Sequence, residues 1–125
     1  MATESKKVVL VVEDDASVRE MIVRALDKMY TVHAAQDGMA ASELLTMIPT
    51  PSVMILDVMM PRVDGFTLAR LVKADERLKS VPLIFLTAKT MPGDVMQGIS
   101  VGARHYVQKP FKLADLMDKV ARTVK

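Results

Sequence analysis

Three apolar runs in this chain stop at residues able to do chemistry. Glu13, Asp14 and Asp15 follow Val8–Val12, Asp57 follows Val53–Leu56, and Thr87 follows Pro82–Leu86. A weaker candidate strand, Arg104–Val107, is followed by Lys109 and Pro110. Carboxylates crowded together disfavour one another's charge unless a cation lies between them. A hard divalent ion with oxygen ligands resolves that conflict, and magnesium takes one or two carboxylates plus waters and phosphate oxygens. Lys109 would add a mobile cation suited to a phosphate oxygen or a carboxylate. Thr87 would add a small hydroxyl able to donate to a phosphate oxygen. Each residue also has an ordinary explanation. Asp15 is better read as the cap of the first helix, and Asp64 as the cap of a helix beginning near Gly65. Thr87 alone is a satisfied strand-end hydroxyl, Lys109 alone a surface lysine, and Glu13 with Asp14 alone a turn. Convergence of the pair Glu13 and Asp14, the lone Asp57, Thr87 and Lys109 on one sheet edge outweighs the ordinary explanations of these residues.

For the residues to converge, the apolar runs must be strands of one sheet. They are rich in Val, Ile and Leu and do not alternate with polar residues, as in parallel strands buried on both faces. Weaker strands are expected at Thr31–Ala35 and Arg104–Val107. Helical periodicity occupies the gaps. Val18, Met21, Ile22, Ala25, Leu26 and Met29 recur at three- and four-residue steps, as do Leu113, Leu116, Met117, Val120, Ala121 and Val124. Shorter versions lie around Ala41, Leu44, Leu45 and Ile48, and around Phe66, Leu68, Leu71 and Val72. One more helix, fourth in chain order, is expected from about Gly93 to Val101. Repeated strand-then-helix alternation implies right-handed crossovers and a parallel sheet covered on both faces. In so short a chain it predicts a doubly wound α/β fold, (βα)5 and flavodoxin-like, with strand order 2-1-3-4-5. Ligands of such sheets bind beyond the carboxyl ends of the strands, where the acids, Thr87 and Lys109 would meet.

The 125 residues suit one domain, 1–125, with a core over about 8–124 and a flexible start over 1–6. Half of the residues are hydrophobic, enough for a core without metals or staples. With no cysteine, disulfides, thiolate chemistry and cysteine zinc sites are excluded. His33 and His105 are far apart in sequence and make a poor metal pair. The net charge is +2 and the basic residues are scattered, so no direct nucleic-acid contact is expected. The first residues lack the apolar core of a signal peptide, and no apolar run approaches the roughly 20 residues that span a bilayer. A soluble cytoplasmic chain without membrane insertion is expected. The 11 methionines are read as core filling, not as a copper site or a docking surface.

The segments Val11-Val12-Glu13-Asp14-Asp15, Leu56-Asp57-Val58-Met59-Met60-Pro61-Arg62-Val63-Asp64-Gly65, Leu86-Thr87-Ala88 and Lys109-Pro110-Phe111 resemble the receiver domains of two-component response regulators. The resemblance runs from about Val8 to Val124, and the stand-alone chemotaxis receiver is similar in length. It implies that Asp57 is the phosphoryl acceptor. It further implies that Asp14 and Glu13 hold Mg2+, Glu13 directly or through water, with Asp57 and the main-chain carbonyl of Met59 as further ligands. Thr87 is then the switch hydroxyl, Tyr106 the aromatic that turns inward with it, and Lys109 a contact to the phosphoryl group. The bond between Lys109 and Pro110 is expected to be cis, a minority state for X-Pro. The implied donor is a sensor histidine kinase or a histidine phosphotransfer protein. The implied output is a downstream protein docking on the face of the fourth helix, fifth strand and fifth helix. Arg104, His105, Tyr106, Gln108 and Lys112 are candidates there, although His105 is better read as an ordinary exposed histidine.

Some positions vary from the family pattern. Glu13 stands where Asp is more frequent, which leaves Mg2+ binding intact as an expectation. Met59 cannot position an attacking water through its side chain, and Lys89 brings a positive charge where some relatives carry an acid. Both are expected to tune how long the phosphoryl group persists. Three other functions suit these residues less well. A haloacid-dehalogenase-type phosphatase needs a second Asp two residues after its nucleophile, and here that residue is Met59. No turnover of an external substrate is therefore expected, only self-phosphorylation and dephosphorylation. A flavin site needs a Gly/Ser/Thr-rich loop after the first strand, where this chain has three acids. A degenerate docking-only receiver ranks low because acceptor, acids, hydroxyl and lysine are all present. The initial Met and the stop after the last helix favour a stand-alone regulator over a receiver excised from a longer one.

Overall fold

The computed structural model describes residues 6–58, 64–87 and 102–124. In chain order the elements are β1 (Val8–Val12), α1 (Ala16–Leu26), β2 (Thr31–Ala35), α2 (Gly38–Leu45), β3 (Val53–Asp57), α3 (Gly65–Ala74), β4 (Leu83–Thr87), β5 (Ala103–Gln108) and α4 (Leu113–Thr123). The helix expected over about 93–101 lies outside the described residues, so α4 here is the fifth helix of the sequence reading. All strand pairs are parallel and the order is β2-β1-β3-β4-β5, the doubly wound topology expected.

The apolar runs form the three central strands because both of their faces need cover. In β1, Leu10 and Val12 face one core with Met54, Leu56, Phe85 and the buried sides of α2 and α3. Val9 and Val11 face the other with Ile55, Ile84, Leu86 and residues of α1 and α4. Alternate side chains of a strand point to opposite faces, so an unbroken apolar run is the only sequence that satisfies both. The edge strands β2 and β5 are less buried, which is why their runs read weakly. Between β4 and β5 the register shifts: Leu83 pairs with Ala103 but Ile84 with His105. Arg104 is the extra residue of this irregularity, and beyond it Tyr106 stands opposite Phe85.

Short polar caps start three helices. Asp15 accepts from Val18 N at 3.0 Å and Asp64 from Thr67 N at 2.8 Å, as expected, and Asp37 accepts from Ala40 N at 2.8 Å without having been anticipated. Each side-chain oxygen satisfies an N–H that the first helical turn leaves open. The helix stripes are shorter than the periodicity implied. Helix α1 stops at Leu26, so Met29 lies in the turn beyond it, half exposed. The reading of methionines as core filling is corrected here: Met54 is buried, but Met21, Met29, Met39 and Met47 are exposed, as is Leu71. Positions at helical spacing can sit at the rim of a stripe, and the unbranched Met tolerates that location. The basic Lys119 and Arg122 of α4 pair with Asp115 and Asp118 one turn earlier. Among the described residues no helix is long and apolar enough to cross a membrane.

Candidate functional site

Parallel strands deliver their carboxyl ends to one edge of the sheet. Glu13 and Asp14 follow β1 directly, Asp57 ends β3, Thr87 ends β4, and Lys109 follows β5. One carboxylate oxygen from each of Glu13, Asp14 and Asp57 lies within 4.8 Å of the others. Glu13 and Asp57 are buried and Asp14 is exposed at the mouth. The Lys109 ammonium bridges the two buried acids, with Nζ 2.8 Å from Glu13 Oε1 and 3.3 Å from Asp57 Oδ2.

Main-chain contacts hold the acids in place. Glu13 N–H donates to Ala35 O at 3.1 Å, tying the end of β1 to that of β2. The Glu13 carbonyl accepts from the Arg19 guanidinium at 2.9 Å, and Glu13 Oε2 accepts from Asp15 N–H at 3.1 Å. Lys109 N–H donates to the Thr87 carbonyl at 2.7 Å, which joins the ends of β4 and β5. The peptide bond from Lys109 to Pro110 is cis. Thr87 is buried on the same face of β4 as Phe85, by strand alternation. Phe85 lies 5.0 Å from Phe66 and 5.6 Å from the half-buried Tyr106, ring centre to ring centre. An aromatic row thus runs from the start of α3 to β5 beneath the site.

The crowding has an electrostatic consequence. Burial pushes the Asp57 carboxyl up to about 7, helped by its hydrogen-bonded contacts with Asp14 and Glu13 and by the Glu13 charge, against the pull of Lys109. Burial also acts to raise Asp14, but hydrogen bonds with Asp57, Glu13 and its own backbone, with the Lys109 charge, hold it below the ordinary range. The two carboxyls are thus pushed in opposite directions, as expected of like charges in contact. Burial would lower the Lys109 ammonium, yet its contacts with Glu13 and Asp57 raise it. Glu13 Oε1, although close to Lys109 Nζ, has no aligned hydrogen-bond donor despite its burial. A hard divalent cation fits what these residues present: three oxygen donors in reach of one point, an under-satisfied buried oxygen, and excess negative charge.

Of the residues expected at the site, Glu13, Asp14, Asp57, Thr87, Lys109 and Tyr106 are described. Met59 and Lys89 lie outside the described residues. Sequence reasoning missed Arg19, which holds the Glu13 carbonyl, and it gave no role to Gly65, which meets the Asp57 main chain. No sequence signal marks Arg19, since an arginine in the first turn of a helix is commonplace. For Gly65 the signal was a glycine directly after a helix cap, where most residues would serve.

The sequence profile of the response regulator receiver domain family matches residues 9–121. The chain is similar to the response regulator MprA of Mycobacterium ulcerans, 37% identical over 90% of this chain and 47% of that protein. It is similar to RpaA of Synechocystis sp., 33% identical over 90% of this chain and 46% of that one, named a DNA-binding dual master transcriptional regulator. Among solved structures, the Vibrio cholerae chemotaxis protein CheY4 superimposes with a TM-score of 0.89 at 32% identity, covering 95% of this chain and 99% of that one. A fold of this topology with an acidic cluster at its strand ends is compatible with a signalling receiver. The chain belongs to the response regulator receiver domain family of two-component systems. Domains of this family work with histidine kinases and downstream effectors, and are not usually metabolic enzymes. The group Glu13, Asp14 and Asp57 is compatible with Mg2+ binding. The chain spans about half the length of the two regulators named first. The expected absence of nucleic-acid contact draws no support from a relative named as DNA-binding.

Proposed function

We propose that Asp57 accepts a phosphoryl group from the phosphohistidine of a sensor histidine kinase or histidine phosphotransfer protein, and that the modified chain presents a changed surface to a downstream protein. The observation that carries this reading is the convergence of three carboxylate oxygens within 4.8 Å under the Lys109 ammonium. Glu13, Asp14 and Asp57, with the main-chain carbonyl of Met59, would hold Mg2+. When bound, that ion supplies neutralisation of the charge on acceptor and phosphoryl oxygens. An Asp57 carboxylate oxygen forms the new bond to phosphorus as the P–N bond breaks, and the electron pair returns to the donor imidazole. Phosphoryl transfer asks chiefly for positioning and charge balance. The buried sheet edge supplies the first, and Lys109 contributes to the second.

The product adds charge and acceptor oxygens at Asp57. Thr87, at the end of the neighbouring strand, donates its hydroxyl to one of them, and Lys109 moves from carboxylate to phosphoryl oxygen. Movement of Thr87 is read by Tyr106, which shares a face with it across Phe85. The surface that changes includes β5 and α4; the remainder of the expected face, the helix over about 93–101, lies outside the described residues. Turnover of external substrates is not part of this function, which suits a cytoplasmic switch.

The test is incubation with a small acyl phosphate or phosphoramidate donor and Mg2+, followed by intact mass measurement. A single phosphoryl adduct that alkali removes and Asp57→Asn abolishes is expected. An adduct unchanged in Asp57→Asn sinks the acceptor assignment. Asp14→Ala should strongly weaken the dependence on Mg2+, and ordinary dependence in that variant overturns the metal assignment. Steady hydrolysis of unrelated phosphomonoesters would favour the phosphatase reading instead.

A further inference from the structure

We propose that Gly65 is a positioning residue for the phosphoacceptor: because it lacks a Cβ, the first turn of α3 seats directly on the main-chain carbonyl of Asp57. The inference rests on the reading of Asp57 as acceptor. A Cβ placed on Gly65 would lie 2.3 Å from the Asp57 carbonyl oxygen, 3.0 Å from its carbon and 3.1 Å from Val58 Cα. No heavy-atom pair tolerates the first of these, so one side must retreat by roughly 1 Å. The requirement is space and not backbone freedom, since among the described glycines the positive φ belongs to Gly102.

Neither side can retreat without consequence. Helix α3 is anchored by buried Phe66, Leu68, Ala69 and Val72, and Phe66 stacks edge-on against Phe85. Strand β3 is wholly buried, and Val58 N–H is held by the Leu86 carbonyl at 2.9 Å. On the other side the Gly65 N–H donates to the Val58 carbonyl at 3.2 Å. The exit of β3 is therefore clamped between β4 and the start of α3. Asp57, at that exit, must keep its carboxylate in register with Glu13, Asp14 and Lys109. A displacement of this size at a reacting group is enough to cost orders of magnitude in transfer, and loss of support behind a metal ligand typically lowers metal affinity.

Gly65→Ala separates this role from ordinary helix effects. Alanine is the better helix former, so a local effect alone would leave the chain folded and slightly more stable. Gly38→Ala is the control: Gly38 also follows an Asp cap, but it starts α2, which follows β2 instead of the acceptor strand. Mg2+ affinity is measured by titration, alongside thermal melts and the rate of adduct formation from a small acyl phosphate. Gly65→Ala is expected to bind Mg2+ about tenfold more weakly or worse and to form the adduct correspondingly slowly, while Gly38→Ala matches wild type. Wild-type Mg2+ affinity and adduct rate in folded Gly65→Ala overturn the proposal and leave the acceptor reading standing. A wild-type chain that binds no Mg2+ and forms no adduct overturns both. Should Gly65→Ala fail to fold, amide spectra of the wild-type chain decide: Mg2+ and adduct formation must shift the Gly65 amide more than that of Gly38. A Gly65 signal that stays still while those of Asp14 and Thr87 move overturns the proposal.

Discussion

At the scale of single residues, the site is a set of charges that solve one another's problems incompletely. Asp57 holds its carboxyl at about 7 in the metal-free chain, whereas an unfolded chain releases that proton near pH of about 4. A raised acid favours the folded state while protonated. Its contribution is full below about pH 4 and is lost as pH climbs through about 7. Metal-free chain should therefore lose stability from this group between those limits, and Mg2+ should protect most at alkaline pH, where Asp57 is ionised. Melts at pH 5 and pH 8 should show a larger Mg2+-induced rise at pH 8, with about 2.7 kcal/mol available at a hundredfold excess over Kd. Equal protection at both would show that Asp57 is not a ligand. Lys109→Ala leaves the buried Glu13 carboxylate without its cation. The loss expected in denaturant unfolding is about 3 kcal/mol without metal, partly restored by Mg2+.

Secondary elements contribute through where they stop. Strands end on chemistry here because the carboxyl edge of a parallel sheet is the one place where a strand's next residue reaches its neighbours' next residues. The helix starts were legible as Asp15 and Asp64 because a cap needs a short acceptor just before a periodic stretch. The helix ends were not, since apolar periodicity carries on through residues such as Met29 that the chain has already turned away. One tie visible only in three dimensions fastens α2. The Arg77 guanidinium, beyond α3, donates to the carbonyls of Leu45 and Ile48 and to the Thr50 hydroxyl, satisfying acceptors that the end of α2 leaves open. Arg77→Ala should cost about 1 to 2 kcal/mol in denaturant unfolding while leaving Mg2+ affinity unchanged, because these contacts lie off the acidic edge. A fall in Mg2+ affinity would show that α2 and the site are coupled.

For the molecule as a whole, the question is how an event at Asp57 becomes a change of surface. Phe66, Phe85 and Tyr106 form a packed row between α3 and β5, and Thr87 lies on the same face as Phe85. Packed rows of this kind have discrete arrangements and not a continuum. Thr87→Ala should still take up the phosphoryl group, within about tenfold of the wild-type rate, because acceptor and acids remain. It should fail to transmit the change. The Tyr106 ring resonances, which should shift on adduct formation in the wild-type chain, should stay in place in this variant. A full shift without the Thr87 hydroxyl would exclude it as the link.

The amino-acid sequence by itself determined the sheet, its order and the identity of the converging acids. Unbroken Val/Ile/Leu runs separated by helical stripes have few compact solutions, and every one of them brings Glu13, Asp14 and Asp57 to the carboxyl edge. What only the tertiary structure decided were the contacts between residues remote in sequence and ordinary in type. Arg19 on the Glu13 carbonyl, Lys109 between two acids, Tyr106 brought opposite Phe85 by the extra residue Arg104, and Gly65 against Asp57 all depend on side-chain reach and main-chain register. Local pattern carries the period of an element. The distance between two elements is set by how their side chains pack, and that is where the acidic cluster acquired its spacing.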